Sequence, residues 1–345
     1  MKGGVGLENL NACLDKYFNE GFLHNAAVRV GMGDKIICDL YRSTEFDIDE
    51  HTLFDMASVT KIAATTSLCL IAMDKGLIKP EDKVSKFFYC PEDKKDLTLF
   101  HLLTHTMGIG HMPLDKAYIA YDNVHEHILK APLGIPVGTD VLYSCPAFIL
   151  LGKILEKVLG EPLNLLFKKL VAQPLGMDET SFLPDRTKQI INANREERDR
   201  GIVNDYNCQH LGGVAGNAGL FSNIADMTKF AKMLINHGDP IIKSETFWEA
   251  AKNHTRGMTA ARGLGFVYVD KVYPLTGGLF PEGSVGHGGH TGQAIFVDPV
   301  SGLYCIALTD STISTIKTEP DYYYYEKVKE IRIAMFGAVK KDLDK

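Results

Sequence analysis

Residues 54–78 read FDMASVTKIAATTSLCLIAMDKGLI, and the organisation of the chain follows from this stretch. Ser58-Val59-Thr60-Lys61 leads into an apolar, helix-forming run that Gly76 stops, so a buried helix is expected from Ser58 to Lys75. Residues three apart share one side of a helix, which lets the Lys61 amine approach the Ser58 hydroxyl. Serine is a poor nucleophile until a neighbouring base takes its proton. A lysine in a desolvated pocket loses its proton near neutral pH, so Lys61 is the expected base. At the helix N-terminus, Ser58 also aims free backbone N–H groups at a developing oxyanion. The spacing alone is weak evidence, since about one such match arises by chance in a chain of this length and ordinary composition. A second copy, Ser314-Thr315-Ile316-Lys317, lies between a strand and Pro320 with no apolar helix after it and reads as a loop.

Outward from this helix the pattern changes on both sides. Residues 7–21 carry apolar positions at helical spacing and end in glycine, and residues 26–32 and 35–40 read as strands joined by a Gly33-Asp34 turn. Beyond residue 76 the chain is helical with proline-punctuated loops to about residue 236. Strands return at 264–269, 294–297 and 303–308. Residues 321–341 read as a closing helix, with Tyr322 to Tyr325 at its start packed on the sheet. The expectation is an α/β (α+β) fold in one unit over 1–345. An antiparallel sheet lobe comes from about 1–57 and 261–345, a helical lobe from about 58–260, and the site lies in the cleft between them.

The run at 54–78 and LTLFHLLTHTMGIG at 97–110 together resemble the serine β-lactamase and penicillin-binding-protein superfamily, in its class C β-lactamase and carboxylesterase-like branch. The resemblance continues, in order, through GTDVLYSCPAFILLGKILEKVLGEPL (138–163), LGGVAGNAGLFS (211–222) and VGHGGHTGQAIFVDP (285–299). It implies Ser58 as acyl-accepting nucleophile and Lys61 as its base. Tyr143-Ser144-Cys145 stands where the family has tyrosine, a spacer and usually asparagine. Tyr143 is thus the expected proton shuttle, preferred over the literal match Tyr121-Asp122-Asn123. Cys145 departs from the pattern, because a thiol cannot replace both amide contacts of asparagine. His287-Gly288-Gly289 matches the third element in a histidine form common among esterase-like members. His287 is expected to donate a hydrogen bond or assist proton transfer, Gly289 to let substrate lie on the strand edge, and the His290 N–H to join that of Ser58 in an oxyanion hole. Asn217, in the glycine-rich segment 212–219, is a candidate substrate contact.

Other classes are disfavoured. The 345 residues are 45% hydrophobic and 23% charged with net charge −6, and carry no basic face for nucleic acid. No apolar run reaches the roughly 18–20 residues of a membrane span. The N-terminal MKGGVGLENLNACLDKYF lacks the apolar core of a secretory signal, so the chain as written reads as cytoplasmic. Seven scattered cysteines include no CxxC pair and read as reduced thiols. His101 and His105 have an HxxxH spacing without the glutamate of a zinc protease, so neither metal nor cofactor is indicated, and a GxSxG elbow is absent. The reading is a hydrolase of small esters or amides acting through an acyl-enzyme, with esters favoured by His287 and Cys145. A β-lactamase, a D-amino-acid peptidase and a non-enzymatic binding module on the same fold are the alternatives, and a peptidoglycan transpeptidase would need export.

Overall fold

The computed structural model describes residues 7–114, 120–191, 200–271, 275–311 and 321–345, the first five of the last segment by backbone alone. The SxxK copy at 314–317 lies outside the described residues, as do the side chains of Tyr322 to Tyr325. Among the described residues, ten strands form two sheets: β1 Asn25–Met32, β2 Lys35–Ser43, β3 Leu53–Asp55, β4 Ser181–Phe182, β5 Ile190–Ile191, β6 Leu220–Ser222, β7 Val267–Tyr268, β8 Val285–Gly288, β9 Ala294–Asp298 and β10 Leu303–Thr309. The larger sheet has the order β2-β1-β10-β9-β8-β7 and is antiparallel throughout. It is therefore built from the two ends of the chain, as expected.

Side-chain alternation gives each strand two faces. On β10, Leu303, Cys305 and Ala307 face the terminal helices Glu8–Asn19 and Asp321–Leu343, while Tyr304, Ile306 and Leu308 face the central core. Burial on both sides explains why the strand reads as an unbroken apolar run. Asp342 joins the terminal helices: its carboxylate accepts the Asn9 and Leu10 N–H groups at 3.0 and 2.9 Å. This supplies the cap that Leu7 cannot.

The middle of the chain is not purely helical. Strands β4, β5 and β6 lie within it and pair in the order β4-β6-β3-β5, and each is too short to leave an alternating pattern. β3 ends at Asp55, so this small sheet delivers the chain to Ser58. The helix beyond is not uniformly α. A 3₁₀ turn, Ala57–Val59, is followed by a π-helical stretch, Lys61–Thr66, before α-helix over Ser67–Asp74. Thr65 Oγ1 donates to the Gly216 carbonyl at 2.7 Å, tying the wide turn to the glycine-rich segment. The helix Cys145–Leu159 starts at an N-cap, Ser144, whose hydroxyl accepts the Ala147 N–H at 3.1 Å. Among the described residues no helix is long and apolar enough to cross a membrane.

Candidate active site

Ser58 is half-buried at the head of its turn, directly after Ala57, whose φ of 44° is left-handed. Lys61 Nζ donates to Ser58 Oγ at 2.9 Å, and Tyr143 OH donates to the same oxygen at 2.8 Å. Lys61 is fully buried. Its other donations go to the Asn217 carbonyl at 2.9 Å and Cys145 Sγ at 3.5 Å. Three acceptors match the three protons of an ammonium group. Burial by itself favours the neutral amine, but Cys145, Tyr143 and Asp205 outweigh it and hold Lys61 above the ordinary lysine range. The pocket that buries this lysine also surrounds it with acceptors, so desolvation and hydrogen bonding act on its proton in opposite senses.

Burial pushes the Tyr143 phenol up, and Lys61 pulls against that. The tyrosine is fixed by His105, a residue noted in the sequence only for its HxxxH spacing. The His105 carbonyl accepts the Leu142 N–H at 2.9 Å and its Nδ1 accepts the Ser144 N–H at 3.0 Å. Its ring lies 4.6 Å from that of Tyr143. His105 is buried with a pKa well below the usual histidine range, first through burial and then through Arg262 and Lys61. His101 is engaged elsewhere, its Nδ1 accepting the Thr98 N–H at 3.1 Å. Tyr121 donates to Glu156 at 2.8 Å, so Tyr143 is the tyrosine of the Ser58 cluster.

Cys145 is buried, and its thiol is pushed up by burial against the pull of Lys61. Asn217 is fully buried, and its Nδ2 donates to Asp205 Oδ1 at 3.0 Å. Its carbonyl, rather than its amide, meets Lys61. His287, on β8, donates from Nδ1 to the Gly288 carbonyl at 2.7 Å, leaving Nε2 as a buried lone pair without a partner among the described residues. It is held neutral by burial and by the cations Lys61, Arg262 and Arg332. With its Nδ1 proton given to Gly288 O, the Nε2 of the neutral ring can only accept. A Cβ on Gly288 would stand 1.8 Å from an Arg332 nitrogen, and one on Gly289 would stand 3.0 Å from the Met56 carbonyl. The end of β8 thus runs against the Ser58 turn, with His290 exposed just beyond it.

Two carboxylates behind the cluster left no signal in the sequence pattern. Asp205 anchors Asn217. Asp55 accepts the Ala57 N–H at 2.8 Å and the Asn204 N–H at 2.6 Å. Burial pushes the Asp55 carboxyl from 3.8 up to about 6, against the two N–H groups that favour its charge. A raised carboxyl means that the folded state holds this proton more tightly than the unfolded chain does. Stability is then expected to fall by about 3 kcal/mol as pH rises from about 4 to 6, the conversion being 1.36 kcal/mol per tenfold change in proton affinity. Urea unfolding at pH 4.5 and 7.0 checks this by difference, because Asp55→Asn should lack that part of the pH dependence.

The family model described as Beta-lactamase matches residues 10–327. A protein of Escherichia coli K12, provisionally named a D-alanyl-D-alanine carboxypeptidase, is 28% identical over 84% of this chain and 76% of its own length. The esterase EstB of Burkholderia gladioli is 29% identical over 88% of this chain and 90% of its own. A penicillin-binding protein homologue from Caulobacter crescentus superposes with a TM-score of 0.75 at 15% identity, covering 99% of both chains, a likeness of fold.

Proposed function

We propose that this chain, which belongs to the beta-lactamase family and is a serine hydrolase of that superfamily, is an esterase for small acyl esters that works through an acyl-enzyme on Ser58. The observation that carries this reading is the placement of Ser58 Oγ between Lys61 Nζ at 2.9 Å and Tyr143 OH at 2.8 Å. Lys61 and Tyr143 act as one acid–base unit. One proton short, this pair accepts the Ser58 proton through its two hydrogen bonds to Oγ. Ser58 Oγ bonds to the ester carbonyl carbon, and the carbonyl electron pair moves onto oxygen between the Ser58 and His290 N–H groups. Collapse expels the alkoxide, which takes the proton back from Tyr143. Water then attacks the acyl-serine by the same route and releases the acid. His287 Nε2, an acceptor only, orients an O–H or N–H of the substrate.

Preference for esters rests on Cys145 and agrees with the name of the EstB relative. An amide substrate needs a partner for its side-chain amide, and the thiol beside Lys61 is a weak one. Cys145→Asn is expected to raise turnover of a peptide or β-lactam substrate by about tenfold relative to an ester, the scale of one added hydrogen bond. Equal change in both rates would remove Cys145 as the selector. The reading as a whole is tested with p-nitrophenyl butyrate, nitrocefin and a fluorophosphonate. Ester hydrolysis exceeding nitrocefin hydrolysis, with the phosphonate mapped to Ser58 by peptide mass, supports it. Absence of turnover and label would instead favour a binding module on this fold.

A further inference from the structure

We infer that Asp55 is a positioning residue for acylation, its carboxylate holding the Ala57 turn so that the N–H and hydroxyl of Ser58 point into the cleft. The inference rests on Ser58 being the nucleophile. Ala57 has a φ of 44°, in the left-handed region that a residue with a Cβ occupies only when its surroundings enforce it. The enforcing contact is the bond from the Ala57 N–H to Asp55 Oδ1 at 2.8 Å. The other oxygen, Oδ2, accepts the Asn204 N–H at 2.6 Å, which fixes the carboxylate from a distant part of the chain. Asp55 is itself 3% exposed, and the Asp55 carbonyl accepts from Thr291 at 3.3 Å.

The turn's position also decides the width of the cleft. A Cβ on Gly289 would approach the Met56 carbonyl to 3.0 Å and the Ala57 Cβ to 3.2 Å, so β8 and the turn are in register through this contact. Next to Asn204, Asp205 holds Asn217, whose carbonyl accepts Lys61. Asp55 therefore sits where the segment carrying Ser58 meets the segment that orients Lys61. A neutral asparagine keeps one acceptor but turns its NH₂ toward the second N–H, so one of the two restraints is lost.

The test is a mutant cycle on acylation by p-nitrophenyl butyrate, with Ser58→Ala as control. Asp55→Asn should lower kcat by about ten- to a hundredfold with KM nearly unchanged, the scale of a small misplacement of reacting groups. Ala57→Gly, placed in the Asp55→Asn background, should recover about tenfold, because glycine adopts a left-handed φ without being held. A merely structural role would not be rescued at the turn. Asp55→Glu, which keeps the charge but moves it by a methylene, should lose about fivefold or more in kcat. Wild-type kcat in a folded Asp55→Asn or Asp55→Glu, or a loss that glycine at 57 leaves untouched, overturns the inference. Activity surviving in Ser58→Ala would instead overturn the choice of nucleophile.

Discussion

Ser58→Ala is expected to lower p-nitrophenyl ester turnover by on the order of 10⁵-fold and to leave a protein that no fluorophosphonate labels. The magnitude follows from the role of the hydroxyl. Without Oγ no acyl-enzyme forms, and only water positioned by the remaining N–H groups and cations can attack, which retains about 10³-fold over bulk water. Lys61 and Tyr143 would remain, but without the hydroxyl that accepts from both. The fold should tolerate the change, since Ser58 is half-buried and neither of its two side-chain bonds holds a backbone segment. Steady-state rates and intact mass after phosphonate treatment are the measurements. A labelled Ser58→Ala, with the adduct on Tyr143 or Cys145, would sink the assignment.

The parts of this arrangement that were legible in the sequence are the local ones. Ser58 and Lys61 sit three residues apart, the apolar run behind them can only be a buried helix, and β10 is apolar on both faces because both are covered. Tyr143 was legible through the family resemblance of the segment around it, just before the apolar helix that begins near Pro146. Hydrogen bonds between distant parts of the chain leave no such trace. Asp55 acts on the N–H of Asn204, 149 residues away, and Lys61 donates to a carbonyl 156 residues away. Any residue type at 204 or 217 other than proline offers the first group, and every residue offers the second, so composition cannot report them. The π-helical stretch after Lys61 is a slip in hydrogen-bond register, not a change in composition. His287 illustrates a different limit. The sequence names the histidine, but which of its nitrogens donates is set by the neighbouring Gly288 carbonyl.

Lys61→Met gives the second large effect and separates the charge of this residue from its shape. Methionine has a similar length and no charge, so it fills the space without donating to Ser58, Cys145 or Asn217. The expected loss in kcat is about 10³–10⁴-fold, that of removing an acid–base partner. The pH dependence should move in a definite direction. In the native site Lys61 opposes the burial that raises the Tyr143 phenol. Removing the cation leaves burial unopposed, so the phenolate becomes harder to form. The residual rate should then climb with pH over a higher range than in the native enzyme. Thermal stability should fall modestly, because the buried Asn217 carbonyl loses its donor. If Lys61→Met kept the native pH profile, Lys61 would not be setting the charge state of Tyr143. The proton from Ser58 would then have to leave by a route that does not pass through this pair.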